Sequence, residues 1–174
     1  FLYVRRDKQA EIRPMTISHG ANSPRTDKSR FQLEFDWMGT DDPTAYLCVP
    51  EAIRFMGSLL PGGWPELMAQ NRAMALAARR MLCERLGEML PCPDEMIGAI
   101  AVVSLPDDRT EFVKTRLIPP LQDQLWEQFK IEVPIIYWPK QPQQLMRISA
   151  QIYNTTAQYQ YLAEALTKLL RSYR

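Results

Sequence analysis

Apolar and polar residues alternate through Ser29-Arg-Phe-Gln-Leu-Glu-Phe-Asp-Trp37, which would set Phe31, Leu33, Phe35 and Trp37 on one face of an extended segment. The spacing predicts a strand there, then a small turn at Gly39-Thr40 and a helix entered through Asp41 or Asp42 and Pro43. Phe1 to Val4 reads as the buried middle of another strand, and Arg13 to Arg30 shows no sustained period and reads as a long surface connection. Tyr46 to Met56 reads as a helix that Pro50 bends or begins. A longer helix has Pro65 in its first turn and closes at Gly87, with Leu67, Asn71, Met74, Ala75, Ala78, Met81, Leu82 and Leu86 on its inner face. Its Arg72, Arg79, Arg80, Glu84 and Arg85 are expected to face water.

Beyond Pro91-Cys-Pro93 the texture changes, which marks a boundary. The nearly unbroken apolar run Met96 to Ser104 predicts a central strand. A short helix follows from Pro119 and Pro120 with Leu121, Leu125, Trp126 and Phe129 on one side. Ile131 to Trp138 reads as a second strand, placed at an edge by Pro134, and Leu145 to Tyr153 as a third. Asn154 or Thr155 caps a last helix whose stripe is Tyr159, Leu162, Leu166 and Leu169. The fold class is α/β, ending in a compact strand-helix-strand-strand-helix unit of α+β character. A chain of 174 residues can bury a real core without staples. The apolar start without a lead-in reads as a fragment whose upstream part held the rest of a sheet.

Charge and composition narrow the chemistry. Twenty-one Lys and Arg against 20 acidic residues form no dense basic block, so no nucleic-acid partner is expected. No apolar run reaches the length that spans a bilayer, so no membrane partner is expected. Cys48, Cys83 and Cys92 lack paired spacing and point to a reducing, cytoplasmic setting. His19 is the only histidine, which rules out a multi-histidine metal site, and no metal is expected. It is either an ordinary loop residue or a ring beside a ligand. Two features could carry binding. Gly39-Thr40 is either a plain turn or one whose amides and hydroxyl meet a phosphate. Arg147, inside the apolar strand, either snorkels to water or grips a carboxylate through two parallel bonds.

The strings Phe-Leu-Tyr-Val-Arg5, Ile12-Arg-Pro-Met-Thr-Ile-Ser-His-Gly20, Ser29 to Pro43 and Met146-Arg-Ile-Ser-Ala-Gln-Ile-Tyr-Asn-Thr155 occur in an order that resembles the isopenicillin N epimerase-like, class V aminotransferase family. These are fold type I enzymes that use pyridoxal phosphate and are related to cysteine desulfurases. The resemblance implies that 1–45 ends a large cofactor domain and carries a site loop, that 46–90 are linking helices, and that 91–174 is a small C-terminal domain of about three strands packed against helices. It implies a homodimer acting on an amino-acid-like small molecule, with Gly39 and Thr40 touching the cofactor phosphate from the neighbouring subunit and Arg147 holding the substrate α-carboxylate. His19 and Arg30 would border that site. The lysine that bonds the cofactor would lie in the missing N-terminal half, so none of Lys8, Lys28, Lys114, Lys130, Lys140 and Lys168 is assigned that role, and the chain alone would be catalytically incomplete. Pro139 to Met146 holds no cysteine, which argues against desulfuration through a persulfide. The competing reading is a stand-alone protein-interaction module.

Overall fold

The computed structural model describes residues 2–108 and 118–171. Phe1 and Lys114, which figure above, lie outside the described residues. The chain divides into two compact units, Phe1–Ala52 and Ile53–Arg174.

The first unit contains 3-10 turns at Arg6–Glu11 and His19–Asn22, helix α1 at Arg30–Asp36, helix α2 at Thr44–Leu47, and the start of α3 at Val49–Gly57. The expected strand through Phe31 to Trp37 is therefore a helix. Ser29 and Gln32 form a reciprocal capping box, Ser29 Oγ accepting from the Gln32 amide at 3.2 Å and Gln32 Oε1 from the Ser29 amide at 3.1 Å. That local signal overrides a short alternation. In the helix Phe31 and Phe35 meet at 4.6 Å between ring centroids, as residues four apart should, while Leu33 and Glu34 turn inward and Trp37 is exposed. Nor are residues 2–5 a strand. Leu2 and Tyr3 are exposed and have no neighbouring strand among the described residues to satisfy an extended backbone. The His19–Asn22 turn packs directly on α1, so close that a Cβ on Gly20 would overlap the carbonyl of Leu33.

The second unit is built on α4, Gly63–Leu86, with α5 at Pro120–Phe129, α6 at Thr156–Arg171 and a sheet of β1 (Ile100–Leu105), β2 (Ile135–Tyr137) and β3 (Gln144–Ser149). Gly87 closes α4 at φ 72°, and the amides of Gly87 and Glu88 return to the carbonyls of Glu84 and Cys83. The sheet is antiparallel in the order β1-β3-β2. The second strand sits at an edge, as Pro134 suggested. The run from Met96, however, is not central. Asp94–Met96 is a 3-10 turn, and β1 begins at Ile100 and forms the other edge of the described sheet. A continuous apolar run reports that both faces seek cover; it does not count a strand's neighbours.

Ala101, Val103, Leu105, Ile135, Met146 and Ile148 point to one side of the sheet and join Ala75, Ala78 and Leu82 of α4, Leu121 and Leu125 of α5, and the α6 stripe in one core. The opposite side, with Ile100, Ile136, Arg147 and Ser149, is open. One polar assignment fails. Arg79, expected in water, is fully buried; its Nη2 donates to Asp94 Oδ1 at 2.5 Å and its Nη1 to Cys92 Sγ at 3.3 Å. Arg80 also bonds Asp94, and Arg72 donates to the carbonyls of Asp94 and Ile97 at 2.8 and 2.9 Å. Three arginines of α4 thus fasten the 92–97 segment, a use of charge that helical periodicity alone reads as a solvated face. No described helix is long and apolar enough to cross a membrane.

Candidate functional site

In the N-terminal unit hydrogen bonds gather the residues singled out from the sequence. Ser18 caps the His19–Asn22 turn by accepting from the Gly20 amide at 3.0 Å, and its hydroxyl donates to the Trp37 carbonyl at 2.5 Å. This ties the histidine-bearing turn to the start of the Gly39-Thr40 loop. Arg30, the first residue of α1, reaches back with Nη1 to the Gly20 carbonyl. His19, Arg30 and the Trp37–Thr40 segment therefore belong to one hydrogen-bonded corner. His19 and Arg30 are exposed at its surface.

Gly39 adopts φ 128°, a backbone state that side chains disfavour, and a Cβ there would meet nothing within 4 Å. The turn is open rather than crowded, and Thr40 is exposed beside it. Its two aspartates differ in role. Asp42 Oδ1 accepts from the Thr44 amide at 2.9 Å and the Thr44 hydroxyl at 2.6 Å, which holds its carboxyl below the usual carboxylate range and occupies the start of α2. Asp41 accepts from the Asp42 amide at 2.8 Å. The first amide of α2 is thus already taken by Asp42, and the open part of this loop is Gly39-Thr40.

Sequence reasoning missed the partner of Arg30. Glu34, one turn on, is buried, its Oε1 lies 3.8 Å from Arg30 Nε, and its Oε2 lies 3.6 Å from Arg13 Nε. The four-residue spacing of Arg30 and Glu34 would have signalled the pair had α1 been read as a helix.

Arg147 belongs to the other unit. It sits on the central strand opposite Val102 of β1, and its amide donates to the Pro134 carbonyl at 3.0 Å, so its backbone is held from both sides. The side chain is exposed and has no ion-pair partner among the described residues. It lines a groove of about 380 Å³ with Lys130, Glu132, Asn154, Gln158 and Tyr159. Tyr159 donates to the Ser149 carbonyl at 2.7 Å, and burial raises its phenol above the ordinary value. A rigidly based guanidinium with uncommitted donors suits a carboxylate.

These residues fit part of what pyridoxal phosphate and an amino acid require: amides and a hydroxyl for a phosphate, and a guanidinium for a carboxylate. Among the described lysines, Lys8 and Lys28 pair with Glu11 and Asp36, Lys130 and Lys168 lie over the rings of Trp126 and Phe129, and Lys140 is exposed.

No family model matches the chain. Individual proteins do. Isopenicillin N epimerase of Streptomyces clavuligerus is 31% identical over 97% of this chain and 42% of that protein. That of Amycolatopsis lactamdurans is 31% identical over the same shares. An L-cysteine desulfhydrase of Arabidopsis thaliana is 26% identical over 98% of this chain and 39% of that protein. The chain spans about two fifths of the length of these curated relatives. Over nearly its whole length, then, the chain is homologous to part of the isopenicillin N epimerases and L-cysteine desulfhydrases, which are class V enzymes of the pyridoxal-phosphate-dependent family.

Proposed function

We propose that the chain is the C-terminal portion of a pyridoxal-phosphate enzyme that acts on an amino acid or a small peptide amine as a homodimer. The observation that carries this reading is the similarity of 97–98% of the chain to epimerases and desulfhydrases. Bound cofactor would supply an electron sink for bond breaking at the substrate α-carbon. In that setting Gly39 and Thr40 would hold the phosphate of the neighbouring subunit's cofactor through amides and a hydroxyl. Arg147 would hold the substrate carboxylate, and the rigid strand beneath it would fix the distance from carboxylate to reacting carbon. His19 and Arg30 would border the entrance. The lysine would come from residues outside this chain. Three free cysteines support a reducing, cytoplasmic setting.

The test has two arms. The chain is incubated with pyridoxal phosphate, reduced with borohydride and weighed intact; the expected result is no stoichiometric adduct, and a single modified lysine would overturn the assignment of that residue to another segment. The chain is then exchanged into Streptomyces clavuligerus isopenicillin N epimerase in place of the segment it matches. Arg147→Gln in the chimera is expected to raise KM for an amino-acid substrate at least tenfold. An unchanged KM would remove Arg147 from the site.

A further inference from the structure

The second unit holds a cavity of about 480 Å³ that shares no lining residue with the groove beside Arg147. Its wall is built from the end of α4, the loop after β1, the first residue of β3 and the last described turn of α6. Gln144, at the start of β3, is only 5% exposed, yet its side chain is half satisfied. Nε2 donates to the Pro106 carbonyl at 2.8 Å, while Oε1 has no partner among the described residues. Gln144 and Pro106 both line the cavity. Turning the amide over would set Oε1 against the Pro106 carbonyl, two acceptors face to face, so the orphan atom is an acceptor. A buried acceptor left open is uncommon in a folded protein and calls for a donor.

The charges around that acceptor select the donor. Glu88, Asp107 and Asp108 line the cavity together with Arg85 and Arg171, so carboxyl groups outnumber guanidiniums. Asp108 is buried; its amide donates to the Pro142 carbonyl at 2.8 Å and its carboxylate accepts from the Tyr137 hydroxyl, which fixes it in the wall. Helix α4 also ends here, at Leu86 and Gly87, and presents the negative pole of a 24-residue helix. Leu121 and Leu170 add an apolar stretch. An anion would meet the excess of carboxylates and bring nothing to donate to Gln144. We propose that the cavity binds an aliphatic ammonium, whose N–H groups donate to Gln144 Oε1, whose charge faces Glu88 and Asp107, and whose alkyl part lies along Leu121 and Leu170. A charged donor makes a stronger bond to an amide oxygen than a neutral one. The site uses no cofactor and none of the residues given roles above, so it stands or falls apart from the proposed function.

Calorimetric titration of the whole chain with butylammonium at low ionic strength tests the proposal, with tetramethylammonium as a cation that has no N–H to donate. Butylammonium is expected to saturate with a Kd below about 1 mM, and tetramethylammonium to bind about tenfold more weakly or worse. Gln144→Met removes the acceptor and should weaken butylammonium about tenfold or more. Should that variant lose its helical circular dichroism because the Pro106 carbonyl is stripped of its donor, the double variant Glu88→Gln, Asp107→Asn decides. Those two side chains are not buried, and removing both charges must weaken binding by a similar factor. Arg147→Gln, outside the cavity, should leave the affinity unchanged. Failure to saturate, equal affinity for the two cations, or unchanged affinity in the folded cavity variants overturns the site. Loss of binding in Arg147→Gln would move the ammonium to the other groove and overturns it as well.

Discussion

Removing Asp94 and removing Arg79 should have unequal consequences although the two groups face each other. Arg79 is fully buried, and among the described residues its only hydrogen-bond acceptor beyond Asp94 is the Cys92 sulfur at 3.3 Å, while its Nε has no partner there. Asp94→Ala would leave a buried guanidinium with one weak acceptor. Breaking a buried pair in this way costs about 3–5 kcal/mol. Asp94 is 26% exposed, which lets water reach the vacated space and favours the lower end, about 3 kcal/mol. Arg79→Met removes the charge together with its need, keeps most of the stem's volume, and leaves Asp94 bonded to Arg80; the expected cost is under about 1 kcal/mol. With a urea slope near 2 kcal/mol per molar, the midpoints should fall by about 1.5 M and less than about 0.5 M. Urea unfolding followed by circular dichroism, to which α4 and α6 contribute heavily, reads both. The double variant should resemble Arg79→Met alone. Equal shifts for the two single variants, or a larger one for Arg79→Met, would refute the claim that desolvation of Arg79 governs this contact.

Other expectations follow from the same geometry. Gly20→Ala drives a methyl into the Leu33 carbonyl, and the turn must separate from α1 at a cost of about 2 kcal/mol or more, visible as faster amide exchange throughout α1. Ser29→Ala removes a hydroxyl that caps α1 and should cost about 1 kcal/mol, read by thermal unfolding. The Asp42 carboxyl should titrate below the ordinary aspartate range by NMR, and Thr44→Val should return it upward by deleting the hydroxyl donor. Since the folded value is the lower one, this contact stabilises above the unfolded-state pKa and is lost as pH falls through the folded one. Exposed Cys48 should react with a thiol reagent first. Cys83, buried in the core with its thiol pushed up by desolvation, should react only on unfolding.

Where a residue's role follows from local spacing, sequence and structure agree. The α4 stop at Gly87, the edge position of β2 from Pro134 and the inward stripe of α6 each depend on chemistry within a few residues. Elsewhere two local codes compete. The alternation of Phe31, Leu33 and Phe35 is real, but Ser29 and Gln32 close a capping box, and a helix buries Leu33 with Glu34 instead. Arg79 shows a further limit: periodicity assigns faces by residue class, and only the folded position of Asp94 reveals that this arginine belongs inside. Arg147 was legible as a residue, whereas the groove beside it depends on Lys130, Glu132 and Asn154 arriving from other elements. The shared carboxylate of Glu34 was hidden for the same reason.

Arg147 stands on a strand with a ladder on each side, and if its side chain captures a carboxylate as proposed, the sheet becomes a reporter of that capture. A carboxylate captured there contributes RT ln(1 + [L]/Kd) to every opening of the backbone that would release it. β3 cannot open without parting from β1 and β2, since Val102 and Pro134 flank the same residue. Amides of β1, a strand away from the guanidinium, should therefore slow their exchange as much as those of β3, and the occupancy of one side chain becomes readable across the whole width of the sheet.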